Sequence, residues 1–582
     1  MRIKGCLTGL IFLTCVLTAK AQQVMEWYSP SKVNGICRQD SAHIFYRLPA
    51  YMQSQVRPIV WDLSLNTAGE FLHFRTTARS LVVRYGLSGK TLAMPHMPAT
   101  GVSGVDLYAL DKNGTWNWAP PAYRFGDTCT YTYKNMQVSA GTSGVDYYLY
   151  LPLYNTVKWI SVGVAQKESF EFIPERKEKP IVAYGTSILQ GAVTSRPGLT
   201  WSNILSRNLD RTVINLGFSG NGRFEKPIFD LMAKVDAAVY IFDCMPNLTR
   251  GWRISDEEIE SRIRYGITKL REDHPRAPVL LTEYPDGHIP YYMDSTLLNE
   301  RHAASTLIAT IYRKLKNEGL PGIYLLSEKE IGFDINSTTE ATHPNDIGMM
   351  KYALAYEQKI RQILSEPTGN NSTQIPVEQY RDGFDWIKRH EQIIENMGQT
   401  GAKAIIFANS IINYWGGEPQ AQKVLPRGED SWKTWMLPKQ VQNAGFGNDR
   451  IENVLWRIYH GELDYFQGNQ ILLMAGTNNL AVNTDEEIVS GLSFLLQQIK
   501  NRKPEAKITM IGILPRKGKE ARIRQLNKKI RKMARAGHYQ FADLSRYFKT
   551  GDKINAALFL EDGLHPNKDG YMILGKNLQK SL

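Results

Sequence analysis

The sequence predicts a chain of three domains, in which an all-β sandwich precedes two α/β domains that each contain a parallel sheet. Three observations support this fold class. The chain has 582 residues, several times the roughly 100–200 residues of a typical domain. The rhythm of hydrophobic residues changes near residue 178 and restarts after a polar segment that begins near residue 365. Hydrophobic residues make up 43% of the chain and charged residues 22%, which excludes disordered, collagenous and disulfide-scaffold classes.

Residues 1–21 have the features of a secretory signal peptide. The segment has a basic start at Arg2 and Lys4, an apolar run over 7–17, and Ala-Lys-Ala at 19–21. Its removal takes three positive charges from the net charge of +13. We therefore expect export to the periplasm or the outside of a bacterial cell, with no membrane insertion of the mature chain, because no other stretch approaches the length of a membrane span. An N-terminal membrane anchor is the alternative, and a lipoprotein at Cys15 is a weaker one.

Residues 24–176 are predicted to form the β-sandwich. Short alternating stretches such as 71–85 are separated by Gly, Pro, Asn and Asp clusters. The segment is also rich in Trp and Tyr, and includes Trp61, Trp116 and Trp118. Aromatic faces can stack on sugar rings, although burial in the core is the commoner role of such residues.

The first α/β domain is predicted over 178–365 and the second over 378–582, with the polar segment 366–377 as the linker between them. Apolar runs at 180–184 and 237–242 alternate with helical patterns such as 254–270, which is typical of a parallel sheet covered on both faces. After the linker a helix is expected over 381–397, and buried strands at 404–407, 470–475 and 507–513. The second rhythm repeats the first, which predicts an internal repeat of about 200 residues.

Neither the net charge nor the cysteines indicate a nucleic-acid or metal site. The basic run 516–535 carries Ile523, Leu526, Ile530 and Met533 at spacings of three and four, which predicts a solvated amphipathic helix rather than a polyanion site. The three cysteines outside the signal have no metal-ligand spacing. A disulfide between Cys37 and Cys129 remains open, and the oligomeric state is not predicted.

Two serines are candidate nucleophiles. Ser187 and Ser410 each follow an apolar strand and precede a helical segment, which places the hydroxyl at the carboxyl end of a strand, where open α/β sheets build sites. Such a serine is more often only a helix N-cap. However, His343 follows Ser187 by 156 residues and His565 follows Ser410 by 155.

Each of these histidines has a carboxylate three residues before it, Glu340 before His343 and Asp562 before His565. A serine hydroxyl needs a base to become a nucleophile, and the base needs an acceptor that orients its protonated form. Two histidines at nearly equal offsets from two serines make coincidence a poor explanation.

Gly- and Asn-rich turns follow the other predicted strands. The first domain has GFSG at 217–220 and DCMPN at 243–247, and the second has GFGN at 445–448 and GTNN at 476–479. Backbone N–H groups and an Asn amide are the donors that stabilise the oxyanion in acyl transfer. Turn formation alone explains any one of these segments, but less readily all four in the same order.

These blocks resemble the SGNH hydrolases, also called GDSL esterases, in tandem. The first copy, with GTSILQG at 185–191 and THPNDIGM at 342–349, is similar to a bacterial branch that typically follows a β-sandwich with a G-x-D-L-Y motif, here GVDLY at 104–108. The second copy, with NSIINYWGG at 409–417 and DGLHPNKDGY at 562–571, is similar to the platelet-activating-factor acetylhydrolase-like branch. The resemblance implies two α/β/α, flavodoxin-like domains after a jelly-roll-like sandwich.

The resemblance also implies roles for individual residues. It implies a nucleophile, a base, a carboxylate, a backbone oxyanion donor and an amide donor in each copy. These are Ser187, His343, Glu340, Gly220 and Asn247 in the first copy, and Ser410, His565, Asp562, Asn448 and Asn478 in the second. The chain departs from the family pattern in three places, because Glu340 stands where Asp is usual, and Ala408 and Asn448 where Gly is usual.

The predicted function is that of an exported serine esterase that acts through an acyl-enzyme without metal or cofactor. The resemblance favours removal of acetyl groups from an O-acetylated polysaccharide or oligosaccharide at two unlike sites. Two alternatives remain, a lipid or lysophospholipid ester hydrolase and a glycan-binding protein with inactive hydrolase domains.

Overall fold

The computed structural model describes residues 24–37, 43–137, 144–249, 254–381, 383–421 and 424–582. The expected signal peptide at 1–21 lies outside these residues. Within them, no helix is both long enough and apolar enough to cross a membrane.

The first domain is the predicted β-sandwich, which the structure confirms as two antiparallel five-stranded sheets with strand orders β1-β9-β3-β7-β6 and β10-β2-β8-β4-β5. Residues that alternate toward the interior, such as Val83, Tyr85 and Leu149, are buried between the sheets. The strands are β1 (Met25–Tyr28), β2 (Phe71–Thr76), β3 (Leu81–Leu87), β4 (Asp106–Leu110), β5 (Trp116–Trp118), β6 (Ala122–Arg124), β7 (Cys129–Tyr133), β8 (Val145–Tyr150), β9 (Val157–Ala165) and β10 (Phe170–Phe172), and the helices are α1 (Pro58–Ser64) and α2 (Ala99–Val102).

The second domain is built on a parallel sheet of order β12-β11-β13-β14-β15. This is the order of doubly wound flavodoxin-like sheets, in which ligands bind beyond the carboxyl end of the first strand, where the direction of winding reverses. The strands are β11 (Ile181–Gly185), β12 (Val213–Gly217), β13 (Val239–Asp243), β14 (Val279–Thr282) and β15 (Ile323–Leu326), and the helices are α3 (Ser187–Gln190), α4 (Trp201–Leu209), α5 (Lys226–Met232), α6 (Asp256–Asp273), α7 (Ser295–Asn317), α8 (Glu328–Ile331) and α9 (Asp346–Leu364).

The third domain repeats this order as β17-β16-β18-β19-β20, which confirms the predicted pair of α/β domains. The strands are β16 (Ala404–Ala408), β17 (Val441–Gly445), β18 (Gln470–Met474), β19 (Lys507–Ile511) and β20 (Gln540–Ala542), with the hairpin β21 (Lys549–Thr550) and β22 (Lys553–Ile554), and the helices are α10 (Trp386–Thr400), α11 (Ser410–Asn413), α12 (Glu429–Trp435), α13 (Ile451–Tyr459), α14 (Asp485–Arg502), α15 (Glu520–Ala536) and α16 (Lys568–Leu578).

The predicted helices form, and each begins two to five residues later than predicted. Helix α10 begins at Trp386 rather than at residue 381, because the Asp385 side chain accepts a hydrogen bond from Lys388 N and caps the helix there. Helix α15 (Glu520–Ala536) covers the basic run except for its first four residues, and its buried residues Ile523, Leu526 and Ile530 pack against the core of the third domain.

The sheet β10-β2-β8-β4-β5 packs against the first α/β domain through its outer face. Asp106, the acidic residue of the GVDLY motif, accepts hydrogen bonds from Arg196 Nη1 at 2.7 Å and Gly198 N at 2.9 Å. On the same face, Arg207 lies 4.0 Å from the centre of the Tyr108 ring. The other sheet of the sandwich is therefore the layer farther from this domain.

The polar segment predicted as a linker is packed rather than extended in solvent. Thr373 is buried, and its hydroxyl donates to Glu487 O at 3.0 Å on α14. Glu366 is buried between Arg211, at 3.3 Å, and Arg502, at 3.5 Å. These contacts fix the segment on both α/β domains.

The disulfide between Cys37 and Cys129 is not formed, since both are free thiols. Cys129 is buried in the core of the sandwich, whereas Cys37 packs against the core of the first α/β domain. The two side chains thus belong to different hydrophobic clusters.

Candidate active site

The first candidate nucleophile, Ser187, lies where β11 meets α3. The Thr186 side chain accepts a hydrogen bond from Ile188 N at 3.3 Å and caps the short helix, so Ser187 is its first residue and not its cap. Ser187 is 6% exposed, and its Oγ lies 2.7 Å from Nε2 of His343. The structure therefore brings together two residues that are 156 positions apart.

Glu340 holds the other side of the His343 ring. The Nδ1 atom of His343 hydrogen-bonds to Glu340 Oε1, and the backbone N of His343 donates to the same oxygen at 3.1 Å. Glu thus fills the place that Asp usually occupies in the family, and its extra methylene is accommodated.

Between these two residues, Ala341 adopts a left-handed backbone with φ +66°, the position that Gly563 takes in the second copy with φ +58°. This conformation is strained for alanine. Buried Arg301 donates from Nη1 to Ala341 O at 2.7 Å and from Nη2 to Thr342 Oγ1 at 3.1 Å. Arg301 therefore holds the loop that carries the acid and the base.

The second site repeats the relay. Ser410 is the first residue of α11, and its Oγ lies 2.8 Å from His565 Nε2. His565 Nδ1 lies 2.6 Å from Asp562 Oδ2. Partial burial acts to raise the pKa of Asp562, but hydrogen bonds from the His565 ring and from the backbone N–H groups of Leu564 and His565 outweigh it and lower the pKa below its ordinary value. Asp562 is thus held as a carboxylate that can stabilise an imidazolium.

The two predicted oxyanion donors occupy the same turn. Gly220 and Asn448 each lie three residues after the last residue of a strand, Gly217 or Gly445, and have φ of +67° and +59°. A Cβ added to Gly220 meets no atom within 4 Å, so the turn has room for a side chain. Asn is among the residues that tolerate a left-handed backbone, which explains how Asn448 replaces glycine.

Both predicted amide donors contact these turns. Asn247 Oδ1 accepts from Gly222 N at 3.1 Å, and Asn478 Nδ2 donates to Asp449 O at 2.9 Å. A Cβ at Gly222 would lie 2.2 Å from Gly185 O, so the first turn packs closely on the strand that leads to Ser187. In the first domain, Ser187, the turn and Asn247 therefore lie on segments that contact one another.

A buried arginine braces each turn, which sequence reasoning missed. Arg47 Nη1 donates to Gly217 O at 2.7 Å, and Arg389 Nε donates to Gly445 O at 3.0 Å. Each guanidinium lies 5.1 Å from the ring centre of the phenylalanine that follows, Phe218 in the first site. Arg47 comes from the β-domain and Arg389 from α10, so no local motif links them.

The surroundings of the two histidines differ. In the first site the β-domain contributes His96, whose ring centre lies 6.3 Å from that of His343, and Tyr154, whose hydroxyl donates to Ser187 O at 3.4 Å. In the second site Tyr414 lies 4.9 Å from His565, and Arg427 lies 4.4 Å from the Tyr414 ring. Sequence reasoning missed all four, because nothing in their local pattern marks them.

The side chains around the two serines can be compared with the sets that bind metal ions in proteins. Among the described residues, no group of three or more His, Cys, Asp and Glu side chains is arranged to hold a metal ion. Each site consists instead of a hydroxyl, an imidazole, a carboxylate and N–H donors, which is the set that acyl transfer uses.

Comparison with known proteins assigns the domains to families. Residues 178–361 and 409–573 each match a model of the GDSL-like lipase/acylhydrolase family, and residues 25–170 match the GxDLY model, described as the N-terminus of Esterase_SGNH_hydro-type.

The chain is also similar to individual proteins with hydrolase names. Platelet-activating factor acetylhydrolase IB subunit alpha2 of Rattus norvegicus is 27% identical over 200 residues, which cover 34% of this chain and 82% of the relative. Subunit alpha1 of Homo sapiens is 24% identical over 205 residues, which cover 34% of this chain and 84% of the relative. A solved structure described as a GDSL-like lipase from Bacteroides ovatus is 28% identical with a TM-score of 0.53, and the match covers 59% of this chain and 98% of that one. A match over 59% of the chain is longer than any single domain described above, so it spans more than one domain.

Proposed function

Because the chain carries a GxDLY-type N-terminal domain and two GDSL/SGNH hydrolase domains, we propose that it is a serine esterase that removes acetyl groups from an O-acetylated polysaccharide at two active sites. One observation carries the proposal. Each α/β domain holds a serine hydroxyl 2.7 or 2.8 Å from a histidine whose other ring nitrogen bonds a carboxylate.

The reaction begins at the serine. Ser187 Oγ attacks the ester carbonyl carbon while His343 Nε2 takes the hydroxyl proton. Glu340 stabilises the imidazolium that forms, since it accepts from Nδ1. His343 then gives the proton to the departing sugar oxygen, the carbon–oxygen bond of the ester breaks, and an acetyl-serine remains. Ser410, His565 and Asp562 act in the same way in the second domain.

Water completes the cycle. The histidine, neutral again, takes a proton from a water molecule, which attacks the acetyl-serine. As the second tetrahedral intermediate collapses, the histidine gives this proton to the serine oxygen and acetic acid is released, which ionises to acetate in solution.

The developing oxyanion is stabilised by the N–H of Gly220 and the side-chain amide of Asn247 in the first site. Asn448 and Asn478 supply the corresponding donors in the second site. One such donor contributes roughly 3–4 kcal/mol to the stabilisation of the transition state. Because the turns are braced by Arg47 and Arg389, these donors are in place before the reaction begins.

Three arguments support an acetylated polymer as the substrate. The curated relatives are named acetylhydrolases, which favours acetyl as the acyl group. The different neighbours of the two histidines suit two different ester positions on one polymer. Export, expected from residues 1–21, would bring the enzyme to extracellular or periplasmic polysaccharide.

A lipid ester is the second candidate substrate, because the names of the same relatives include platelet-activating factor. Acetate release from an acetylated polysaccharide and from an acetylated phospholipid separates the two candidates, because they share the acetyl group and differ in the alcohol that carries it. A polysaccharide esterase should prefer the first substrate, whereas a lipid ester hydrolase should prefer the second.

Acetate release from acetylated xylan, pectin and mannan tests the proposal. The wild-type chain, Ser187→Ala, Ser410→Ala and the double variant are compared, with Ser581→Ala as a control for a serine in the C-terminal turn. Release that falls stepwise to zero supports the proposal, and product NMR should show that each single variant retains different acetyl groups. Release that the double substitution leaves unchanged would refute it.

A further inference from the structure

The outer face of the sheet β1-β9-β3-β7-β6 exposes two tryptophans that no part of the proposed reaction uses. Trp27 is 37% exposed and Trp159 is 43% exposed. Trp159, Ser161 and Gly163 are alternate residues of β9 and so share one face, while Ile160 and Val162 between them are buried in the sandwich.

Each of these tryptophans lies over a glycine on the neighbouring strand. Trp27 pairs with Gly163, and Trp159 pairs with Gly86. A Cβ at Gly163 would lie 2.9–3.0 Å from three atoms of the Trp27 indole, and a Cβ at Gly86 would lie 2.3 Å from Trp159 Nε1. Neither glycine has a positive φ, so other residues could adopt the backbone conformation at both positions. A side chain there would instead occupy the space that the tryptophan ring fills. The indoles therefore lie flat over these glycines.

Polar groups lie between the two rings. Arg84 is exposed on the same face, opposite Ser161, and its guanidinium stacks over the Trp27 ring, 4.5 Å from the ring centre, so Trp27 and Arg84 form one layered unit of this face. Ser161 Oγ is 2.8 Å from Ser29 Oγ. Trp159 and Gly163 are four residues apart, about 13 Å along a strand, so the two indoles can meet different units of one polymer. Flat apolar faces that alternate with hydrogen-bonding groups match the chemistry of sugar rings, whose C–H faces are apolar and whose edges carry hydroxyls.

We propose that this face, formed by Trp27, Trp159 and Arg84 over Gly163 and Gly86, binds a polysaccharide chain. The inference deepens the proposed function, since it gives the polymer a second contact with the protein. The opposite sheet of the sandwich packs on the first α/β domain through Asp106 and Tyr108. The tryptophan face is on the other side, so it retains the polymer at a distance from the serines rather than extending either active site.

The tryptophans named from the sequence do not form this face. Trp61 is buried in the core of the first α/β domain, and Trp116 packs edge-on against Tyr148 at 4.7 Å. Trp118 is exposed on the other sheet, where its Nε1 donates to Asp106 at 2.8 Å. Only the register of the strands shows that Trp27 and Trp159 share a face.

Affinity gel electrophoresis tests the inference in the full chain carrying Ser187→Ala and Ser410→Ala, so that binding is measured without hydrolysis. Acetylated xylan, its deacetylated form, acetylated mannan and pectin are each included in the gel. We expect retardation by at least one polymer, and Trp27→Ala/Trp159→Ala should weaken that binding by on the order of tenfold. Trp27→Phe/Trp159→Phe, which keeps a smaller ring over each glycine, should lose less.

Two controls keep the outcome interpretable. Tyr465→Ala removes another exposed aromatic residue, 50% exposed on the third domain, and should bind as strongly as its parent. Thermal unfolding and mobility in gels without polymer show whether each variant is folded. Retardation that is equal in the parent and in a folded variant with alanine at Trp27, Trp159 or both would show that the rings only cover the glycines, and would overturn the inference. Absence of retardation by all four polymers would also overturn it, whereas catalysis by the two serines would be unaffected by that result.

Discussion

Replacement of Arg47 by lysine should selectively damage the first active site. The guanidinium of Arg47 is buried and donates to Leu63 O at 2.7 Å, Asn66 O at 2.8 Å, Gly217 O at 2.7 Å and Asn215 O at 3.3 Å. Burial lowers the pKa of Arg47 to about 10, so the group remains charged at neutral pH. It thus joins a segment of the β-domain to the strand end that leads into the Gly220 turn.

A lysine ammonium cannot reach both the carbonyls of Leu63 and Asn66 and those of Gly217 and Asn215. About two buried carbonyls would therefore lose their donor. Each unsatisfied buried carbonyl costs roughly 1–3 kcal/mol, which predicts a loss of about 2–6 kcal/mol in the free energy of unfolding. The Gly220 N–H would be displaced but not removed. We therefore expect kcat at the first site to fall roughly 10–100-fold, less than the 10²–10³-fold that follows the removal of an oxyanion donor.

The assay isolates each site by serine substitution. Arg47→Lys is measured in the Ser410→Ala chain, and the matched Arg389→Lys in the Ser187→Ala chain, with p-nitrophenyl acetate as the substrate. Arg47→Lys in the Ser187→Ala chain should leave the activity that depends on Ser410 at its original rate. An equal loss at both sites, or an unchanged kcat at the first site in a destabilised protein, would refute the assignment of Arg47 to the turn.

Three further predictions follow from the sites. Each amide can be tested alone, with Asn247→Ala in the Ser410→Ala chain and Asn478→Ala in the Ser187→Ala chain. Either substitution should lower kcat roughly 10²–10³-fold with little change in KM, since the amide acts in the transition state. A change confined to KM would contradict this role. Asn448→Gly should keep the activity that depends on Ser410, because glycine adopts the left-handed backbone readily. Asn448→Val should destabilise the protein by about 1–2 kcal/mol and lower that activity. Equal behaviour of the two variants would be evidence against a required positive φ. Burial raises the pKa of Asp243 to about 8, so the folded protein keeps a proton that the unfolded chain releases above about pH 4, and the wild type should lose stability as the pH rises toward 8. Asp243→Asn should remove this pH dependence. In denaturant titrations at pH 5, 7 and 9, its free energy of unfolding should exceed that of the wild type by an amount that grows with pH to on the order of 5 kcal/mol. A constant difference in the free energy of unfolding across that range would contradict the raised pKa.

The sequence was most informative where the chemistry recurs. The nearly equal offsets from Ser187 to His343 and from Ser410 to His565 predicted pairs that the structure places within hydrogen-bonding distance. The fold class followed from the period of the hydrophobic residues, since buried parallel strands appear as short apolar runs.

Residues that act across domains could not be predicted in this way. Arg47 and Gly217 are 170 positions apart, and Tyr154 reaches Ser187 from a different domain. Contacts of this kind depend on how the sandwich docks on the α/β domain, which no local pattern encodes. The linker shows the same limit, because its polar composition predicted a connector but not the burial of Thr373 against α14.

The central claim is that Ser187 and Ser410 are both activated nucleophiles, and covalent labelling with a fluorophosphonate tests it most directly. Intact-mass spectrometry should find two adducts on the wild-type chain, one on Ser187→Ala, one on Ser410→Ala and none on the double variant. Adducts that persist in the double variant, or a folded wild-type chain that takes up no label, would contradict the claim.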